Sequence, residues 1–290
     1  MTTLAASGPN AEQIRYWNEL AGPRWVSFQA ALDAQLGWLG ERTMDRAAIA
    51  SGESVLDVGC GCGATSLELA RRVGPTGRVL GLDISGPMLE VARERARGAG
   101  ATNVSFALAD AQTHALEQAA FDVVFSRFGV MFFAEPTEAF ANLRRALRAG
   151  GRLAFVCWQA LAKNPWFAVP LAAVAQHVTL PPPPAPGAPG PFAFADPERV
   201  RGILDGAGFA DVAFEPVVET ITLGAPGSTI DQAVDFILQM GPAGAALREA
   251  GGDAKERVVP AVREALEPYA GPHGVRLECA AWIVTARNAG

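Results

Sequence analysis

Val55-Leu-Asp-Val-Gly-Cys-Gly-Cys-Gly63, followed by the helix-competent run Ala64 to Val73, is the stretch that decides the fold. It reads as an apolar strand, a turn of three alternating glycines, and a helix. Glycine lacks a Cβ and lets backbone approach a ligand closely, and the helix that follows offers unpaired N–H groups at its first turn. Such a turn is built to cradle something.

Working outward, strand and helix patterns alternate. Ser54–Val58, Arg78–Asp83, Val104–Ala109, Phe121–Phe128 and Arg152–Trp158 read as strands. Between them Thr65–Val73, the run opened by Ser85-Gly-Pro-Met88, and Thr137–Arg148 read as helices, with a Ser cap and an early Pro on the second. This order means βαβ units, a parallel sheet and right-handed crossovers, with ligands beyond the carboxyl ends of the strands. Val212–Thr222 and Val275–Ala286 read as two late strands around a mostly helical Ile230–Leu266, so they extend the sheet rather than start a new core. Ahead of the first strand, Asn10 and Gln13 have the spacing of a capping box. Helices are expected at Gln13–Leu20, Trp25–Leu39 and Glu41–Ala50, with a break at Gly22-Pro23. Their tryptophans serve either as core or as a lid over a pocket. The proline run Pro181–Pro191 reads as a surface connector near a pocket mouth rather than a peptide ligand. A single domain over 1–290 is expected: a helical cap at 1–50, a ligand-binding core at 51–160, and a sheet-completing, substrate-side region at 161–290.

Composition removes whole classes. Half the 290 residues are hydrophobic, enough for a large core, and a net charge of −6 without basic runs argues against nucleic-acid partners. No apolar stretch approaches the length of a membrane helix, and the N-terminus lacks the layout of a signal peptide. Four cysteines make no disulfide framework, which fits a reducing, cytoplasmic setting. Cys60 and Cys62 have no matching Cys/His pair nearby, so no metal site is expected.

Gly59, Gly61 and Ala64 satisfy the relaxed dinucleotide fingerprint, and Asp83 closes the second strand where a ribose-binding carboxylate belongs. Taken alone these features admit any adenosine-containing cofactor. Asp57, two residues before the first glycine, is out of place beside a pyrophosphate but suits a cofactor bearing an ammonium and a sulfonium. Asp110-Ala111 closes the third strand, where a carboxylate can accept from an adenine amino group and the next N–H can reach a ring nitrogen.

These stretches (VLDVGCGCGATS, GLDISGPML, ADAQTH, FDVVFSRFGVMFF and NLRRALRAGGRLAFVCW) resemble the successive motifs of class I S-adenosylmethionine-dependent methyltransferases, nearest to the small-molecule group related to the ubiquinone and menaquinone biosynthesis enzymes. The likeness runs from Ser51 to Trp158. It implies a Rossmann-like, doubly wound, mostly parallel seven-stranded sheet with helices on both faces, and S-adenosyl-L-methionine as cofactor. It also implies that Gly59, Gly61 and Gly63 border the methionine part, with Asp57 orienting the loop or the ammonium. Asp83 would hold the ribose diol, and Ile84 and Met88 would pack on adenine or ribose. Asp110 and Ala111 would read the adenine edge, and Ser126 would touch the methionine through its backbone. Arg127 would pair either with the cofactor carboxylate or within a structural ion pair.

The partner implied is a small, apolar or aromatic metabolite, with the acceptor atom open among oxygen, carbon and nitrogen. Trp17, Trp25, Phe128, Met131, Phe132, Trp158, Trp166 and Phe194 are the pocket aromatics and apolar residues to expect. No catalytic base is nominated: His114 reads as a solvent-facing loop residue, and His177, Tyr16 and Tyr269 stand out less. The rival readings are an NAD(P)-dependent oxidoreductase, which Asp57 and Asp110-Ala111 disfavour, and a cofactor-binding protein without transferase activity.

Overall fold

The computed structural model describes residues 4–290. Its N-terminal layer is α1 (Ala11–Arg15), a π-helical turn (Tyr16–Leu20), α2 (Ala21–Ser27) and α3 (Gln29–Arg46). Then come β1 (Ser54–Val58), α4 (Ala64–Val73), β2 (Arg78–Asp83), α5 (Gly86–Gly98), β3 (Val104–Leu108), β4 (Phe121–Arg127), α6 (Pro136–Ala146) and β5 (Leu147–Trp158). The rest is α7 (Pro165–Ala175), α8 (Pro197–Gly206), β6 (Ala210–Thr222), α9 (Ile230–Gln239), α10 (Gly241–Ala250), α11 (Ala254–Leu266), the two-residue β7 (Ala270–Gly271) and β8 (Gly274–Arg287).

The sheet runs β3-β2-β1-β4-β5-β8-β6, with β7 paired to β8. β1 to β5 are mutually parallel, and β8 lies antiparallel between β5 and β6. The doubly wound sheet expected from the alternation is therefore present, and the helical insertion α9–α11 sits between the last long strands. The order reverses at β1, between β2 and β4, which puts the crevice for ligands at the end of β1.

Strand alternation divides the core. Val55, Val123, Phe125 and Ala154 pack with Met44 of α3 and Leu69 and Val73 of α4 on one face. Leu56, Val58, Val124 and Phe155 face the opposite layer with Phe140 and Leu143 of α6. All five residues of β1 are buried, as a central parallel strand requires.

Several local expectations are corrected. The chain stays helical through Gly22-Pro23 and breaks instead at Phe28, and α3 ends at Arg46 rather than near Ala50. Asn10 makes no capping bond; its Nδ2 donates to both oxygens of Asp110, at 2.9 and 3.0 Å. The oxygen that a cap would use, Oδ1, instead accepts from Ala134 N at 2.8 Å. Ser85 occupies the cap position of α5, yet its hydroxyl donates to the Trp17 carbonyl, and Asn18 Oδ1 accepts from Gly86 N in its place. The N-terminal layer thus caps the core's second helix. β5 begins at Leu147, earlier than the periodicity implies, and the proline run 181–191 carries no helix or strand.

Candidate functional site

A cavity of about 330 Å³ opens beyond the carboxyl ends of β1, β2 and β4. Its floor is the glycine turn. Gly59, Gly61 and Gly63 hold φ of +69°, +56° and +80°, values that side chains with a Cβ resist. Gly59 lies back to back with Gly129, and a Cβ built on it would sit 2.7 Å from Gly129 Cα. This contact joins the end of β1 to the end of β4.

Asp83, the last residue of β2, accepts from Gly61 N at 2.7 Å through Oδ2 and from Ser85 N at 2.8 Å through Oδ1. It therefore ties the glycine turn to the start of α5. Burial pushes its carboxyl up from 3.8 to about 6, against the pull of the backbone N–H groups of Ser85, Gly61 and Ile84. Each oxygen still has a lone pair to offer a diol on the cavity side.

Asp57 follows the parity of Val55 and faces α4, away from the cavity. Its Oδ2 accepts from Thr65 Oγ1 at 2.7 Å and Ser66 Oγ at 2.6 Å, which orients the first turn of α4. Its Oδ1 is buried with no partner among the described residues. Burial raises this carboxyl to about 6, only partly offset by the Ser66 and Thr65 hydroxyls and the positive charge of Arg127.

Asp110, at the end of the third strand's path, is saturated. Besides the two bonds from Asn10, Oδ1 accepts from Gln112 N at 2.9 Å and Oδ2 from Thr113 Oγ1 at 3.2 Å. A carboxylate has about four acceptor sites, so an incoming amino group must take the seat that the Asn10 amide occupies.

Of the residues singled out from sequence, Gly59, Gly61, Asp83, Ile84, Met88, Asp110, Ala111 and Arg127 border the cavity. Asp57, Gly63 and Ser126 do not. Gly63 packs against Ala92 of α5, where a Cβ would come within 2.9 Å of the alanine's own. Ser126 is fully buried; its hydroxyl donates to Val58 O at 2.7 Å and accepts from Gly129 N at 3.2 Å, which braces the β1–β4 contact. Arg127 stands 3.4 Å from Asp33, which also pairs with Arg95 at 3.1 Å, so the arginine is both a cavity residue and an ion-pair member. Cys60 and Cys62 line the floor as buried thiols, with burial pushing Cys62 up to about 12 and Cys60 well above its ordinary value. Among the described residues no cluster of three or more His, Cys, Asp or Glu side chains could hold a metal.

The expected aromatic wall forms, with one exception. Trp17, Trp25, Phe128, Met131, Phe132, Trp158 and Trp166 line the cavity, whereas Phe194 is buried among Phe140 and Phe155 in the core. Phe128 stacks on Trp158 with centroids 4.2 Å apart, and it holds a left-handed φ of +62°. A bulky residue in that region stores strain, which is tolerated where the surroundings dictate the conformation. Trp17 meets Trp25 and Phe132 edge to face. Sequence reasoning missed Gln13, Asp33, Phe167, Phe236, Met240 and Arg248, which also line the cavity. Gln13 lines the cavity, and its Oε1 is buried without a partner among the described residues. His114 is exposed and outside the cavity wall, in keeping with its reading as a loop residue.

Residues 49–179 match the family described as a methyltransferase domain. Aklanonic acid methyltransferase DauC of Streptomyces sp. (strain C5) is 38% identical over 117 residues, 40% of this chain and 53% of that protein. The ubiquinone/menaquinone biosynthesis C-methyltransferase UbiE of Pseudomonas aeruginosa (strain LESB58) is 38% identical over 112 residues, 38% of this chain and 44% of that protein. The match with these curated relatives spans about half of their length. The crystal structure of BH2331 from Bacillus halodurans C-125 shares the fold, with a TM-score of 0.57 at 18% identity over 87% of this chain and 99% of that one. Residues 49–179 thus carry the likeness to a methyltransferase domain, on a fold shared with that solved structure. No helix among the described residues is long and apolar enough to cross a membrane.

Proposed function

We propose that this protein transfers a methyl group from S-adenosylmethionine to a small apolar or aromatic metabolite. One observation carries the reading: a single cavity is floored by the glycine turn and Asp83 and walled by the aromatic side chains of the N-terminal layer, the segment after β4, β5 and α7. The residues suit the cofactor. Asp83 offers acceptor lone pairs to a ribose diol, Asp110 offers acceptors to an amino group that takes the place of the Asn10 amide, and Ile84 and Met88 give an apolar seat for a planar base. Asp57 and Asp83 together favour a cationic ligand over a pyrophosphate.

When bound, the cofactor supplies an activated methyl group on a sulfonium. The chain's own task is to align the acceptor in line with it and to keep water out, and the aromatic wall does both. Among the described residues, the cavity wall has Tyr16 but no histidine, so proton removal by the protein has few sources there. Calorimetric titration tests the reading: S-adenosylmethionine and S-adenosylhomocysteine bind, and NADH does not. Binding of NADH alone sinks it.

A pH dependence follows from the two raised carboxyls. Both stand at about 6 in the folded chain against 3.8 for the ordinary group, so the folded state holds protons more tightly than the unfolded one. The stability this lends the free protein is complete below about 3.8 and is lost as pH rises through about 6. For fully buried Asp57 that loss amounts to about 3 kcal/mol at most. A cationic cofactor selects the ionised forms, so its affinity is expected to rise with pH through about 6 and level off by about 7. Asp57→Asn should shrink both the stability and the affinity profiles to the part that Asp83 contributes, measured by thermal unfolding and calorimetry from pH 5 to 8. An affinity that falls across this range contradicts the cationic ligand.

A further inference from the structure

Arg24 of α2 and Arg248 of α10 both line the cavity, and neither has a carboxylate partner among the described residues. Each guanidinium makes one hydrogen bond, Arg24 Nη1 to Leu20 O and Arg248 Nη1 to Gln239 O, both at 3.1 Å. A guanidinium has five N–H donors in a planar fork, so most of each fork is uncommitted. The third cavity arginine, Arg127, is engaged with Asp33 on the cofactor side. Arg24 and Arg248 come from the N-terminal layer and from the insertion between β6 and β8, outside the segment that holds the glycine turn. Burial and the charge of Arg24 both weaken the hold of Arg248 on its proton, so the two cations are near enough to repel. The surrounding wall is Tyr16, Trp17, Trp25, Phe236, Met240 and Pro242. Arg24 is half-buried and Arg248 exposed, so water screens the two charges in the free protein, and an anion placed between them is attracted by both.

We propose that Arg24 and Arg248 form a carboxylate clamp, and that the methyl acceptor is an aromatic or polycyclic acid whose carboxylate it grips while the ring system lies on the aromatic wall. The word acceptor rests on the methyltransferase reading above; the clamp itself does not. Bidentate guanidinium–carboxylate pairs fix orientation as well as affinity, so the clamp would also set which atom of the acceptor faces the sulfonium.

The test is calorimetry with 1-hydroxy-2-naphthoate and its methyl ester, on wild type and on the double variant Arg24→Met/Arg248→Met, with and without S-adenosylhomocysteine. The acid is expected to bind wild type about tenfold or more tighter than the ester. The double variant loses that preference, while its affinity for S-adenosylhomocysteine stays within about twofold. The single variants Arg24→Lys and Arg248→Lys, which keep the charge and lose the fork, fall between and serve if the double variant misfolds. Equal binding of acid and ester to wild type, no binding of the acid, or a preference that survives in the double variant overturns the clamp. A loss of S-adenosylhomocysteine affinity in the double variant also overturns it and assigns the arginines to the cofactor's carboxylate. Failure of wild type to bind S-adenosylhomocysteine instead overturns the methyltransferase reading, and the acid–ester comparison still reads the clamp.

Discussion

Asp83→Ala lowers the affinity for S-adenosylmethionine by about 1.5–3 kcal/mol, roughly 10- to 150-fold, in a calorimetric titration at neutral pH. Two effects add. The free lone pairs that would meet the ribose hydroxyls in the proposed complex vanish, and so do the bonds from Gly61 N and Ser85 N that fix the glycine turn to α5. Asp83→Asn is not a mild replacement here. Both carboxylate oxygens accept from backbone N–H groups, so one of those groups would face the new amide's own N–H. The asparagine variant should lose almost as much affinity as alanine. Folding, by contrast, gains from removing a carboxyl that burial disfavours, and that gain offsets the lost backbone bonds. A drop in affinity with little change in thermal midpoint is the expected signature; unchanged affinity removes Asp83 from the site.

The parallel half of the sheet was legible because its information is local. Each strand from Ser54 to Trp158 is a short apolar run between turn residues, and each helix carries its own amphipathic period. The parity of β1 was also legible in principle: Asp57 stands on the side of Val55, two residues away, and that side packs on α4. What local pattern could not show is pairing across distance. Asn10 meets Asp110 one hundred residues on, and an asparagine before a helix looks the same whether it caps that helix or binds elsewhere. Phe194 and Phe128 are equally apolar in sequence; the first fills the core with Phe140 and Phe155, and the second faces the cavity. For the same reason Phe236 and Met240 gave no sign of lining the site, since a helix residue facing a cavity and one facing a core share one periodicity. The arginines were unreadable for a different cause. Arg24 and Arg248 become a pair only when the insertion folds back over the N-terminal layer.

Gly59→Ala and Gly61→Ala should separate two jobs that one glycine-rich turn performs. Both positions have left-handed backbone, so alanine at either costs about 1–2 kcal/mol in conformation alone. At Gly59 the new methyl meets Gly129 Cα at 2.7 Å, backbone against backbone, and Gly129 is itself tethered by its N–H to Ser126 Oγ at 3.2 Å. Overpacking of that kind adds about 1–3 kcal/mol, so Gly59→Ala should lose at least about 2–3 kcal/mol in urea unfolding. At Gly61 the first obstacle is Met88 Cε at 2.8 Å, the free end of a flexible side chain. Met88 can swing aside, but it borders the cavity, and the methyl displaced from the turn intrudes on the base or ribose seat. The steric block at this glycine is therefore relayed through Met88, where sequence alone placed it directly against the cofactor. Gly61→Ala should keep most of the stability that Gly59→Ala loses and should lose more cofactor affinity per folded molecule. Met88→Ala in the Gly61→Ala background should return part of that affinity, because it removes the displaced group. If the double substitution binds no better than Gly61→Ala alone, the relay through Met88 is wrong.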